Sequence, residues 1–190
     1  MSSPAKPRIG VFGGTFDPPH AAHLEIVRTT LASGEVDRVL LVPCFRHAFG
    51  KTPVAFEHRV AMCAALVEGE AGAAVSDAEA RLVHPGRTLD LVESLEAAFP
   101  GCPLRLIAGG DIYLEREKWY RFAEVERRAP PIYVARRGVP PPPVPTLPAP
   151  SGVSSSAIRA ALAAGTPPRD VLPAPVADYV ARHGLYGVVG

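Results

Sequence analysis

Residues 9–23 read I-G-V-F-G-G-T-F-D-P-P-H-A-A-H, so the apolar run Ile9 to Phe12 passes directly into two glycines, a hydroxyl, two prolines and two histidines. A run of that kind predicts a buried strand, and the crowd behind it predicts a strand-to-helix turn. Such a turn is suited to phosphate. Gly13 and Gly14 let the backbone approach a ligand closely, Thr15 can hydrogen-bond an oxyanion, and a helix starting near His20 presents free N–H groups and the positive end of its dipole. His20 and His23 lie three apart and share a helix face. Asp17 and Pro18 read as residues that shape the turn.

Working outward, apolar runs recur at Val39 to Val42, Leu104 to Ala108 and Ile132 to Ala135, with a weaker one at Ala73 to Ser76. Helical patterns fit residues 21–33, 56–68, 89–98, 119–128, 155–163 and 175–183. Strands alternating with helices predict an α/β fold, a doubly wound parallel sheet with right-handed crossovers, in a single domain spanning 1–190. Ligands then belong beyond the carboxyl ends of the strands, where strand order reverses. The polar motifs fall there: G-G-T after the first strand, R-H-A-F-G-K after the second, G-G-D after the fourth and R-R after the fifth. The proline-rich stretch 140–150, P-P-P-P-V-P-T-L-P-A-P, reads as a stiff connector ahead of the C-terminal helices at 155–183.

Bulk composition narrows the partners. With 190 residues, 47% of them hydrophobic, the chain can bury a core, and a net charge of +1 offers no basic sheath for nucleic acid. Cys44, Cys63 and Cys102 are odd in number and lack C-x-x-C spacing, so they read as small buried residues. No apolar signal core or membrane-length run occurs, and the expectation is a soluble, cytoplasmic protein with neither a membrane nor a nucleic-acid partner. A homo-oligomer is compatible with the sequence.

Residues 153–159, V-S-S-S-A-I-R, put serines at a helix start and Arg159 a turn later, so amides, hydroxyls and a guanidinium converge on one anion. Ser155, Ser156 and Arg159 are therefore phosphate-binding candidates. Gly109 and Asp111 follow a buried strand. Arg136 and Arg137 end the next one and either steer a triphosphate or face water, with Arg136 the candidate. Trp119 can stack on a planar ring or fill the core. His58 and Arg59 open a helix whose apolar side carries Met62 and Leu66, and they read as its surface.

The segment G-G-T-F-D-P-P-H-A-A-H resembles the nucleotidyltransferase superfamily signature G-G-x-F-D-P-x-H-x-G-H, and V-S-S-S-A-I-R resembles I-S-S-T-x-I-R. Residues 172–186, L-P-A-P-V-A-D-Y-V-A-R-H-G-L-Y, are similar to the end of bacterial nicotinate (nicotinamide) mononucleotide adenylyltransferases. The likeness runs from Ile9 to Tyr186 and implies a Rossmann-like nucleotidyltransferase fold. It implies transfer of the adenylyl group of ATP to nicotinate mononucleotide, giving deamido-NAD and pyrophosphate, with Mg2+ accompanying ATP and no protein metal ligands. By the same likeness His20, His23 and Arg159 are catalytic. Gly13, Gly14, Thr15, Ser155, Ser156, Gly109, Asp111 and Arg136 receive ATP, Asp111 through the ribose hydroxyls. Lys51, His47, Thr88, Trp119 and Tyr120 receive the mononucleotide, with Arg46 an alternative to Lys51 and His47. A phosphopantetheine adenylyltransferase and a non-catalytic nucleotide sensor of the same fold are the rival readings.

Three departures from the family pattern stand out. Ala22 occupies the glycine position of H-x-G-H, and its methyl is expected to narrow the gap for the nucleotide. Residues 43–51, P-C-F-R-H-A-F-G-K, replace P-P-H-K. In P-G-R-T-L-D-L-V, residues 85–92, Arg87 stands where relatives carry tyrosine, and it either adds a charged donor for a carboxylate or points into water.

Overall fold

A computed structural model describes residues 5–45 and 53–188. Its strands are β1 (Ile9–Gly14), β2 (Arg38–Pro43), β3 (Ala73–Val75), β4 (Leu104–Gly109), β5 (Pro131–Val134) and β6 (Thr146–Leu147). They pair in the order β3-β2-β1-β4-β5-β6, and every pair is parallel. The helices are α1 (Ala21–Ala32), α2 (Phe56–Leu66), α3 (Thr88–Ala98), α4 (Gly110–Glu115), α5 (Phe122–Arg128), α6 (Ser155–Ala163) and α7 (Ala174–Arg182).

Why the sheet is covered twice follows from the pleat, which sends successive side chains to opposite faces. Phe12, Val39, Leu41, Ile107 and Val134 share one core with Val27 of α1, Met62 and Leu66 of α2, Ile158 and Leu162 of α6, and Val176 and Val180 of α7. Their neighbours Val11, Leu40, Val42, Leu106, Ala108 and Tyr133 share the other with Leu89, Val92 and Leu95 of α3 and Val125 of α5. Each strand is thus apolar on both faces, which is why it reads as an unbroken hydrophobic run. The strand sequence runs outward from β1 to β3 and then restarts at β4 on the other side of β1, so the order reverses between β1 and β4. In an open α/β sheet the ligand crevice belongs at such carboxyl ends.

Three elements differ from the sequence expectation. The helix expected over 119–128 begins at Phe122, because Arg121 adopts a left-handed conformation (φ 51°) after a 3-10 turn at Arg116–Lys118. Trp119 and Tyr120 consequently lie on a loop. The short helix α4 grows directly from the G-G-D turn. Inside the proline-rich connector, Thr146 and Leu147 pair with Tyr133 and Val134 as an edge strand, a place where the flanking prolines remove no needed donor. Among the described residues, no helix is long and apolar enough to cross a membrane.

Candidate active site

The β1–α1 turn is built around Phe16. With φ at 52° this residue folds its ring back over Gly14, where a Cβ would lie 2.9 Å from the ring, so glycine is required there. At Gly13 a Cβ would meet nothing within 4 Å, which leaves open space against the main chain. The Phe16 ring is 2% exposed and packs edge-on against Phe12 and His23. His20 is the N-cap of α1, and its main-chain N–H donates to His23 Nδ1 at 3.1 Å. That bond makes Nδ1 of His23 an acceptor and puts the proton of the neutral ring on Nε2. The two imidazoles lie 3.8 Å apart, centre to centre. Burial lowers the His20 pKa to about 4, against a smaller opposing effect of Glu25, and it pushes His23 down as well. Nδ1 of His20 is buried without a hydrogen-bond partner. Ala22 is 4% exposed, so its methyl is covered by protein rather than projecting toward a ligand gap.

A second element closes on this turn. Ser154 caps α6 by accepting from the Ala157 amide, and Ser155 Oγ donates to Pro18 O at 3.0 Å. Arg159 donates from Nη1 to Asp17 O at 2.6 Å and from Nη2 to Ser156 Oγ at 3.3 Å. Asp17, 7% exposed, is the hub: Oδ1 accepts from Tyr186 Oη at 2.7 Å and from the Val54 amide at 3.3 Å, while Oδ2 lies 3.5 Å from Arg159. Burial first, then the bond to Asp17, pushes the Tyr186 hydroxyl far above its ordinary range, so it remains a donor. The S-S-S helix and the two histidines therefore flank one turn at the crevice. Because the Ser155 hydroxyl proton is engaged by Pro18, what this serine offers an anion is its first-turn amide.

Arg59 corrects the sequence reading. It is not on the surface of α2 but 1% exposed, donating from Nη1 to Thr15 O (3.0 Å) and Cys44 O (2.7 Å) and from Nε to Val54 O (3.0 Å). One guanidinium thereby ties the loop after β1 to the loop after β2. The signal was present in the sequence, since Arg59, Met62, Cys63 and Leu66 follow the i, i+3, i+4, i+7 spacing of the buried face. His58 is half-buried, with Nδ1 3.0 Å from Tyr179 Oη. Glu25 is another residue the motifs do not mark. From α1 its carboxylate accepts the Ser151 amide (2.6 Å) and hydroxyl (2.7 Å), which fixes the segment leading into α6.

Beyond β4, the Asp111 carboxylate folds over Gly109, where a Cβ would lie 2.4 Å from Oδ1, and pairs with Arg136 at 2.5 Å. Farther along the same edge, an open groove of about 490 Å3 is lined by Leu82, His84, Arg87, Asp90, Tyr120 and Arg121 among others. Tyr120 is half exposed and Arg87 lies over its ring, 4.5 Å from the centroid. This geometry is a cation–π stack at the groove wall. Trp119 packs edge-on against Phe122 at 5.8 Å and is partly buried against the second core. Thr88 opens α3. Lys51, His47 and Arg46 lie outside the described residues.

A family model described as cytidylyltransferase-like matches residues 11–161. A protein of Anaeromyxobacter sp. (strain K) named "Probable nicotinate-nucleotide adenylyltransferase" is 43% identical over 182 residues, 94% of this chain and 96% of its own length. The chain belongs to the nicotinate-nucleotide adenylyltransferase family. A relative of the same name from Myxococcus xanthus is 38% identical and covers 95% of each chain. The solved structure of Plasmodium falciparum nicotinic acid mononucleotide adenylyltransferase complexed with APC superposes with a TM-score of 0.78 at 18% identity, over 96% of this chain and 98% of that one. This last likeness shows the fold alone. For a nicotinate-nucleotide adenylyltransferase family member, the crevice between β1 and β4 is where the doubly wound sheet puts its ligand.

Proposed function

We propose that the chain transfers the adenylyl group of ATP to nicotinate mononucleotide, releasing pyrophosphate and forming deamido-NAD. The observation that carries this reading is the docking of α6 on the histidine turn. Arg159 and Ser155 bond to Asp17 and Pro18, immediately ahead of His20, so donors from both ends of the chain border one crevice.

The attacking group is a phosphate oxygen, already anionic at neutral pH, so no protein nucleophile is needed. What remains is to hold two polyanions in line and stabilise charge on the α-phosphoryl group and the leaving pyrophosphate. In our reading Nε2–H of His23 and the His20 imidazole donate to oxygens around the α-phosphate. Gly13, Gly14 and Thr15 receive the same phosphates, and the open space beside Gly13 admits them. Arg159 with the first-turn amides of Ser155 and Ser156 grips the far phosphates. Asp111 takes the ribose hydroxyls and exchanges its bond to Arg136 for them, which frees Arg136 to meet phosphate. Thr88, Trp119 and Tyr120 receive the pyridine end, and Lys51 or His47 the acceptor phosphate.

Transfers from ATP generally draw on a divalent cation, and we assign Mg2+ to this one. In our reading the ion would be carried on the triphosphate's own oxygens. Bound there, it offsets phosphate charge.

The test is pyrophosphate release by the purified full-length chain with ATP, Mg2+ and each of three acceptors: nicotinate mononucleotide, nicotinamide mononucleotide and phosphopantetheine. Release with nicotinate mononucleotide as the preferred acceptor is expected. ATP binding without pyrophosphate from any acceptor overturns the assignment in favour of a nucleotide sensor.

A further inference from the structure

We propose that Glu79 is a positioning residue for the acceptor side of this site. Its buried carboxylate fastens the turn that starts α3 to the loop that follows β2, and so sets where Arg87 and Thr88 stand. The inference rests on the function proposed above.

Glu79 sits in a 3-10 turn, Ala78–Arg81, and is 5% exposed. Oε2 accepts the Gly86 amide at 2.9 Å, and the main chain of Phe45 also bonds to the carboxylate. No cation among the described residues forms an ion pair with it, and the charged group that bears on it electrostatically is Asp90 of α3, a like charge. Burial raises its pKa. An acid held in such surroundings is costly unless amides solvate it, and these amides come from the loop after β2 and from the turn whose next residue, Arg87, lines the groove. Gly86, with φ at 88°, immediately precedes Arg87, the N-cap of α3. Glu79 itself is absent from the groove wall, so it acts through the residues it anchors. If the Gly86 tether loosens, the Arg87 guanidinium loses its register over Tyr120 and the first turn of α3 shifts with it.

Steady-state kinetics of the full chain decide this. Glu79→Gln keeps the size but turns an NH2 toward one of the two main-chain donors, so the acceptor KM is expected to rise at least about tenfold, with the ATP KM and kcat each within about threefold of wild type. Glu79→Asp, which keeps the charge on a shorter stem, is expected to lie between them. Should Glu79→Gln not fold, Glu79→Asp is judged by the same split, with an acceptor KM at least about threefold up. An unchanged acceptor KM, or an ATP KM rising in parallel, overturns the assignment, because a merely structural staple has no reason to separate the two substrates. Wild-type turnover with nicotinate mononucleotide alongside an unchanged variant sinks the role of Glu79 alone. Absence of wild-type turnover sinks the function on which it rests.

Discussion

The two sides of the crevice are held by different physics. On the side we assign to the phosphates, Asp17, Arg59, Glu25 and Tyr186 are bound into the surrounding main chain and side chains. On the side we assign to the acceptor, Tyr120 is half exposed, Arg87 rests on its ring, and the groove is open to solvent. The contrast matches the tasks. Charge developing in a transition state is stabilised best by dipoles already fixed in place, whereas an aromatic acceptor needs a face to lie on and room to enter. Mutations should therefore act on turnover and stability on one side and on acceptor binding on the other.

The largest effect is expected at His20. His20→Ala should lower kcat by about 10²- to 10⁴-fold while the acceptor KM stays within about threefold, since its contacts strengthen as charge develops. Pyrophosphate release at saturating substrates measures this, and a raised acceptor KM with kcat intact would erase the contrast. Next comes Arg59. Arg59→Met keeps much of the volume but leaves the carbonyls of Thr15, Cys44 and Val54 without their buried donor. At about 1–3 kcal/mol for an orphaned buried group, a loss of roughly 3 kcal/mol is expected, a fall in Tm of about 6–12 °C for a chain of this size. Calorimetry reads it, and a shift below about 2 °C would show that the two loops hold without it.

That residue also marks where the sequence was and was not legible. Strands β1 to β5 and the α1 and α6 starts follow from periodicity and turn chemistry, which are local properties written in consecutive residues. Arg59 occupied an apolar face at the right spacing, yet residue type argued for water, and three carbonyls contributed by two loops outweighed it. Glu79 and Glu25 were opaque for the same reason, because what holds each carboxylate is a main-chain amide that no local pattern marks, Gly86 and Phe45 for the one and Ser151 for the other. Edge strand β6 hid among prolines, whose missing N–H groups matter little at an edge. Trp119 and Tyr120 were legible as residues but not as a loop, because the left-handed turn at Arg121 is set by no glycine.

The pH dependence of stability sharpens the phosphate side further. His20 is neutral when folded, with its pKa at about 4 against 6.5 for the ordinary group, and His23 is displaced the same way. Between those values the unfolded chain binds more protons, so stability is full above about pH 6.5 and falls as pH drops toward 4. For His20 the shift corresponds to about 2–4 kcal/mol. Urea unfolding of the ligand-free chain from pH 7.5 to 4.5 should show this slope, and His20→Gln should flatten it. An identical slope in the variant would mean that the imidazole is hydrated when folded.

The smallest effect tests the open side. Trp119 packs edge-on against Phe122 and is only partly buried against the second core, so its truncation removes a stacking surface without unseating any phosphate donor. Trp119→Ala should raise the acceptor KM about tenfold, or about 1.4 kcal/mol, with kcat and the ATP KM little changed. Some loss of stability is expected too, because part of the indole is buried, and for that reason the decisive readout is the ratio of the two KM values rather than either alone. If truncation instead lowered kcat as far as His20→Ala does, the indole would be helping to set the phosphates in line. The two walls of the crevice would then have to be understood as a single rigid unit.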